Sequence, residues 1–334
     1  MRLLQYDYDP NLGDPWYHHR LRTAKPLFRG NAQTILRSPR THTVVAVSIA
    51  LALAFYFYNL EVVPVSGRRR FNCYSESSVR ELSAMQYKRL IYEMERQGAR
   101  FLSDRDPRTI MVKRVMSRLI PVSGVPEGSS AEWEVRVIDD RTTANAFVLP
   151  GGKVFVYSGI LGLARTESQL AAVLGHEIAH NLAEHYGERL SQSVGETAFL
   201  GSLLMLLAAT PLAFIAGWMF GGRALDILFS RPMGRMQESE ADYIGLMMMA
   251  EACYDPRDAV AFWQRMEKAH QMGGVEVPEW VSTHPSNQHR IERITEWLPK
   301  AIEKREESDC HGTQGFAERF RRAMARGDVM SGSM

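Results

Sequence analysis

The chain has 334 residues and a formal net charge of +2, a length that suits one sizeable domain with an anchor or two small domains. With 40 basic against 38 acidic residues there is no basic excess to drive nucleic-acid binding, so no nucleic-acid partner is expected. Cys73, Cys253 and Cys310 are odd in number and far apart, and they read as unpaired thiols rather than a disulfide framework or a zinc knuckle.

Residues 1–42 are rich in arginine but carry Asp7, Asp9 and Asp14. A mitochondrial presequence is acid-poor and amphipathic, so this basic segment is a poor one. Residues 43–60 form an uncharged run, at the short end for a membrane span, with Tyr56 and Tyr58 placed for an interfacial belt. A buried core helix is the alternative for such a run. Arg20, Arg22, Lys25, Arg29, Arg37 and Arg40 precede it, whereas the following flank mixes Arg68, Arg69 and Arg70 with Glu61 and Glu76. This asymmetry favours the N-terminus on the positive-inside face and the rest of the chain on the other.

After a linker at 61–74, residues 75–102 and 107–120 read as helices. Trp133, Val135 and Val137 alternate with Glu134 and Arg136, the period of a strand. Two further apolar runs, 147–149 and 154–157, flank Pro150-Gly151-Gly152 and predict a hairpin.

The next helix carries the chemistry. Thr166 is suited to cap it, and Gln169 three positions on completes a capping box. Leu170, Leu174, Ile178 and Leu182 recur every fourth residue and form one apolar stripe. His176 and His180 share that four-residue spacing, so both imidazoles lie on one face, one turn apart. Two histidines so placed grip one zinc ion, and Glu177 between them can act on a water there as general base. The motif also arises by chance in helices, so a third ligand must decide between the readings. Glu238, in Gln237-Glu238-Ser239-Glu240-Ala241-Asp242, completes a His-His-Glu set for one Zn2+ per chain. Asp242, one turn further, can accept a hydrogen bond from a zinc histidine's other nitrogen. Glu240 is expected to face solvent.

Residues 197–220 form a second uncharged run, interrupted by Pro211 and Gly217. A simple membrane crossing is excluded, because His180 precedes the run and Glu238 follows it. Two spans would need roughly 40 residues. The run should dip into the membrane and return at Pro211, lie along the bilayer surface or be buried in the protein, and a membrane-associated hairpin is the preferred expectation. His185, His270 and His289 read as surface residues or as neighbours of the ligands.

His176-Glu-Ile-Ala-His180, Glu238-Ser-Glu-Ala-Asp242 and Ser282-Thr-His-Pro-Ser-Asn-Gln-His-Arg-Ile291 together resemble the gluzincin family of bacterial HtpX and the CAAX prenyl proteases. Asn145-Ala-Phe-Val-Leu-Pro-Gly-Gly-Lys-Val-Phe-Val-Tyr157, residues 241–247 and Tyr254-Asp-Pro-Arg257 narrow the resemblance to Oma-type mitochondrial inner-membrane metalloendopeptidases. It covers about residues 75–300. The resemblance implies an α+β zincin-like peptidase, mainly helical with a small sheet at the cleft and anchored in the membrane. The domain would span 75–305, with a C-terminal tail at 306–334. A strand edge beside the cleft would pair with extended substrate, making Asn145 and Gly152 candidate substrate-binding residues, with Arg290 a third as the anchor of the segment that carries His284. His284 would lie near the active site as a second catalytic group beside Glu177, donating to the oxyanion. The resemblance further implies the inner membrane, with the domain in the intermembrane space. Homo-oligomers, contact with membrane lipid and quality-control cleavage of membrane proteins also follow from it, the latter including dynamin-like GTPases in animal relatives. A CAAX-type protease and a catalytically silent zinc scaffold or chaperone are the competing readings. The first needs more spans than the hydropathy offers, and the second has no use for Glu177.

Overall fold

The computed structural model describes residues 38–63, 65–124, 133–207, 211–272, 288–308 and 310. The chain divides after Tyr58 into two units. The first holds α1 (Pro39–Tyr58), which buries none of its residues. At 1.5 Å per residue its 20 residues measure about 30 Å, the thickness of a bilayer's hydrocarbon core. Among the described residues it is the one helix both long and apolar enough to cross a membrane.

The second unit opens with an antiparallel pair, β1 (Leu60–Val62) and β2 (Arg69–Phe71), in the stretch expected as a linker. Two helices follow, α2 (Glu76–Arg96), capped by Ser75, and α3 (Pro107–Val122), capped by Asp106 with proline at its first position. The first stops short of the expected 102, where Gly98 takes a left-handed φ of 78°.

A three-stranded sheet comes next, made of β3 (Glu134–Ile138), β4 (Ala146–Leu149) and β5 (Lys153–Tyr157). Strand β5 is central, parallel to β3 and antiparallel to β4, so β4 forms an edge. The predicted hairpin is present. Gly151 and Gly152 have φ of 93° and 84°, which a glycine turn accepts without strain.

After the short α4 (Ser158–Leu163) comes the central helix, α5 (Glu167–Leu182). Thr166 Oγ1 accepts from the Gln169 amide at 3.1 Å, as a cap should. The reciprocal half differs from the expected box. Gln169 Oε1 accepts from Arg165 N, one residue earlier, at 3.0 Å. The stripe behaves as its period dictates, with Leu170, Leu174 and Ile178 buried and Leu182 partly so.

Beyond α5 the chain forms α6 (His185–Leu207) and α7 (Pro211–Leu225), which pack on each other where Leu200 meets Gly221. The two described parts of the apolar run, 197–207 and 211–220, thus lie against each other. Through a π-helical turn at Asp226–Ser230, α7 continues into α8 (Arg231–Glu251), and the residues at the junction keep right-handed helical dihedrals. Two more helices close the domain, α9 (Arg257–Met272) and α10 (Gln288–Glu307). The core gathers α3, α5, α8, α9, α10 and the sheet around Met116, Leu174, Met249 and Phe262.

One sequence expectation is overturned here. Cys253 and Cys310 form a disulfide across 57 residues, with Cα atoms 5.4 Å apart, and only Cys73 is a free thiol. It ties the end of α8 to the chain just past α10, two points whose proximity is a product of tertiary packing and leaves no trace in spacing.

Candidate metal centre

The site forms where α5 crosses α8. Gly175 and Gly245 meet at the crossing, and a Cβ on Gly245 would lie 2.7 Å from the His176 amide nitrogen. Missing side chains on both helices allow backbone-to-backbone approach, which brings the histidine face of α5 against the carboxylates of α8. The Nε2 atoms of His176 and His180 lie 3.1 Å apart. Each is 3.4 Å from a Glu238 carboxylate oxygen. Ligands at about 2.0–2.1 Å from a tetrahedral zinc stand about 3.3 Å from one another, so two nitrogens and a carboxylate at this spacing fit one face of a zinc tetrahedron. All three residues are largely shielded from solvent. Glu177 is buried beside them, with Oε1 4.0 Å from His176 Nε2.

Each histidine is held from behind. His176 Nδ1 lies 3.0 Å from Asp242 Oδ1, the contact expected for Asp242. Arg290 donates to the same oxygen at 2.6 Å and stacks its guanidinium 3.6 Å over the Trp263 ring. Arg290 is thus brought into the site, as a partner of Asp242. Burial and the charge of Arg290 lower the His176 pKa, but hydrogen bonds with Asp242 and Glu238 outweigh them and leave it raised. A proton and a metal would compete for His176 Nε2, the nitrogen that faces His180 and Glu238.

Behind His180 stands His185, for which the sequence left open a surface position or a place beside the ligands. His180 Nδ1 is 2.7 Å from His185 Nδ1, and His185 Nε2 is 3.0 Å from Glu240 Oε2. Glu240 does not face solvent, contrary to expectation. It is buried, and accepts from Ser66 and from Arg68 Nε at 2.8 Å. Burial works to raise its carboxyl, but hydrogen bonds from His185, Arg68 and Ser66 hold it down at about 2. Burial dominates for His185 and pushes its imidazole down against the pull of Glu240. His185 follows Glu184, whose φ of 47° ends α5 and turns the ring back toward His180. His270 and His289 are on the surface.

The other candidates are dispersed. Asn145 is buried, and its carbonyl accepts from the Tyr157 amide at 2.9 Å. Gly152 sits in the hairpin turn against Trp133. Edge strand β4 does lie beside α5, where Asn181 Nδ2 donates to Val148 O at 3.2 Å. His284 lies outside the described residues. From Glu238 and Asp242 a cavity of about 1100 Å³ opens between α8 and α10, lined also by Arg68, Arg235, Tyr243 and Trp297.

Residues 107–298 match the model of peptidase family M48, more than half of the chain. The chain belongs to peptidase family M48. Within the family it is similar to the mitochondrial metalloendopeptidase OMA1 of Schizosaccharomyces pombe, 43% identical over 79% of this chain and 74% of that one. The Saccharomyces cerevisiae protein of the same name is 32% identical over 96% and 90%. The human metalloendopeptidase OMA1, mitochondrial, is 37% identical over 75% of this chain and 48% of its own. This M48 peptidase is a zinc-dependent metalloendopeptidase, as its sequence implied.

Proposed function

We propose that this peptidase holds one zinc ion through His176, His180 and Glu238, with Glu177 as general base, and cleaves membrane proteins at the mitochondrial inner membrane. The observation that carries the reading is the set of three donor atoms at 3.1–3.4 Å, with the Glu177 carboxylate beside it. Bound zinc would polarise the scissile carbonyl and acidify a water molecule. Glu177 takes the proton of the attacking water on its carboxylate and returns it to the leaving amine nitrogen. Asp242 fixes the tautomer of His176 by accepting from Nδ1, and Arg290 fixes Asp242. Substrate lies extended along β4, whose outer edge carries no further strand among the described residues. His284, six residues before Arg290 in sequence, donates to the oxyanion.

Helix α1 anchors the chain, and the α6–α7 hairpin lies on or in the bilayer. Its exposed Phe199, Ile215, Trp218, Met219 and Phe220 support contact with lipid. A hairpin continuous with α8 would keep the ligand helix at the membrane surface, where membrane-protein substrates arrive. Arginines ahead of α1 support an N-terminus on the matrix side and a domain in the intermembrane space, and the Cys253–Cys310 disulfide supports an oxidising compartment. Homo-oligomers are part of the reading, on the resemblance alone.

The test uses full-length protein in detergent or liposomes, with a membrane-protein substrate. We expect one zinc per chain, loss of cleavage on chelation and recovery on adding zinc. Protease protection in mitoplasts reads the topology. A domain digested only after the inner membrane is permeabilised would overturn the orientation.

A further inference from the structure

Beyond the ligands, the second unit contains a buried chain of charged and polar contacts that the reaction does not use. It starts in the β1–β2 hairpin, which begins two residues after α1 ends. Arg68, in the turn of that hairpin, makes a forked contact with Glu188 at 2.6 and 2.7 Å. The same guanidinium reaches Glu240 at 2.7–2.8 Å. Glu240 meets His185, and His185 meets His180. Glu188 and Glu240 are almost fully buried and Arg68 is largely so. A buried carboxylate without its cation carries a large penalty, so such a network holds its members to one geometry.

The hairpin grips the end of the ligand helix at a second place. Arg70, also buried, donates to the Ala183 carbonyl at the C-cap of α5 and pairs with Glu184 at 2.9 Å. Both arginines therefore converge on the corner between α5 and α6, the corner that aims His185 at His180.

We propose that Arg68, Glu240 and His185 are positioning residues for zinc, through which the hairpin following the apolar helix holds ligand His180 in place. The inference rests on the reading that His176, His180 and Glu238 bind zinc. With Nε2 of His180 turned to the metal, its Nδ1–H donates to Nδ1 of His185. The other nitrogen of His185 is then protonated and donates to Glu240, whose charge Arg68 and Ser66 hold in place. Every hydrogen bond in this series runs one way, so one tautomer of each ring satisfies all of them. The zinc centre thus has two supports of different reach. Asp242 and Arg290 secure His176 from within the helical core, whereas His180 is secured by a segment joined to the apolar helix. Displacing the hairpin withdraws Arg68 from Glu240 and frees the His180 ring. The hairpin is part of the metal centre.

The test is zinc affinity, by competition with a chromophoric chelator, on full-length wild type and on Arg68→Gln, Glu240→Gln and His185→Gln. Loss of such outer contacts weakens metal binding by about 10–100-fold. We expect losses in that range for Glu240→Gln and His185→Gln, a smaller one for Arg68→Gln, and recovery toward wild type in Arg68→Lys. The Arg68→Gln, Glu240→Gln double variant should lose less than the product of the two single losses, because both act through one path. Cobalt substitution gives a second readout, since the visible bands report ligand geometry and should shift in the same variants. Thermal unfolding of the metal-free proteins separates a purely structural network. If the variants unfold earlier but bind zinc as tightly as wild type with unchanged cobalt bands, the hairpin supports only the fold and the proposal fails. If a glutamine variant does not fold, Glu240→Asp decides, since it keeps the charge but draws the carboxylate back from His185; zinc affinity and cobalt bands equal to wild type there overturn the proposal. Wild type that binds no zinc would sink the metal reading instead.

Discussion

Two regions of this molecule invert the usual placement of side chains, in opposite senses. At the crossing of α5 and α8 the interior is polar, with His176, Glu177, Glu238, Glu240 and Asp242 all buried. Along α6, α7 and the π turn the surface is apolar, with Phe199, Trp218, Phe220, Leu228 and Phe229 between 55% and 71% exposed. Each inversion runs against the hydrophobic effect unless a partner compensates it. Arg68 and Arg290 supply part of that partner for the buried polar group; in the proposed reading a zinc ion supplies the rest, and lipid covers the exposed apolar face. Helix α8 and its continuation into α7 join the two, so the helix that carries Glu238 and the apolar face are continuous.

The sharpest way to break the polar half is to remove a ligand. Glu238→Ala should purify without zinc and show no detectable cleavage, while the exposed face stays as it is; zinc content by atomic absorption checks this. Gly245→Ala leaves every ligand in place but sets a methyl group against the His176 backbone. Overpacking of that kind costs about 1–3 kcal/mol, and we expect a lower melting temperature together with weaker zinc binding. If Gly245→Ala matches wild type in both, the glycine crossing is not what sets the site's geometry.

The apolar half is tested by where its side chains sit. In a Cys73→Ser background, an environment-sensitive fluorophore on Trp218→Cys should shift to the blue in liposomes. The same label on Tyr92→Cys, also largely exposed but on α2, should not. Equal behaviour of the two labels would remove the case for lipid contact by the hairpin.

A smaller effect should appear on acidification. The Glu240 carboxyl is held at about 2 against an ordinary 4.5. A depressed carboxyl contributes stability that is present above about 4.5 and lost as pH falls toward 2. Stability of Glu240→Gln should therefore decline less steeply across that window than wild type, as measured by urea unfolding at each pH.

The reach of the sequence followed the range of the interactions. Much of what is set within a helix turn or a hairpin could be read directly, namely the Thr166 cap, the Leu170–Leu174–Ile178 stripe, the four-residue histidine spacing and the glycine turn, but not the β1–β2 hairpin or the Gln169 half of the capping box. His176, His180, Glu238 and Asp242 were legible as candidates because helical periodicity places each pair on one helix face, and the fold brings the two faces together. Glu240 was misread for the same reason. On its own helix it points away from Glu238, and only tertiary packing puts His185 and Arg68 opposite it. Arg68 precedes Glu240 by 172 residues, and the cysteine pair is 57 apart, separations that carry no pattern. His185 offered a faint signal, nine residues after His176, but the turn at Glu184 that redirects it breaks the helical period.

The central claim is that Glu177 performs proton transfer at a zinc site built from α5 and α8. We would measure cleavage of a membrane-protein substrate by full-length wild type and Glu177→Gln, with bound zinc quantified in both. A general base contributes about 10²–10⁴-fold, so the variant should lose at least that order of activity while keeping one zinc per chain. Equal cleavage by the two proteins, with zinc present in both, would contradict the account and leave Glu177 a buried structural residue.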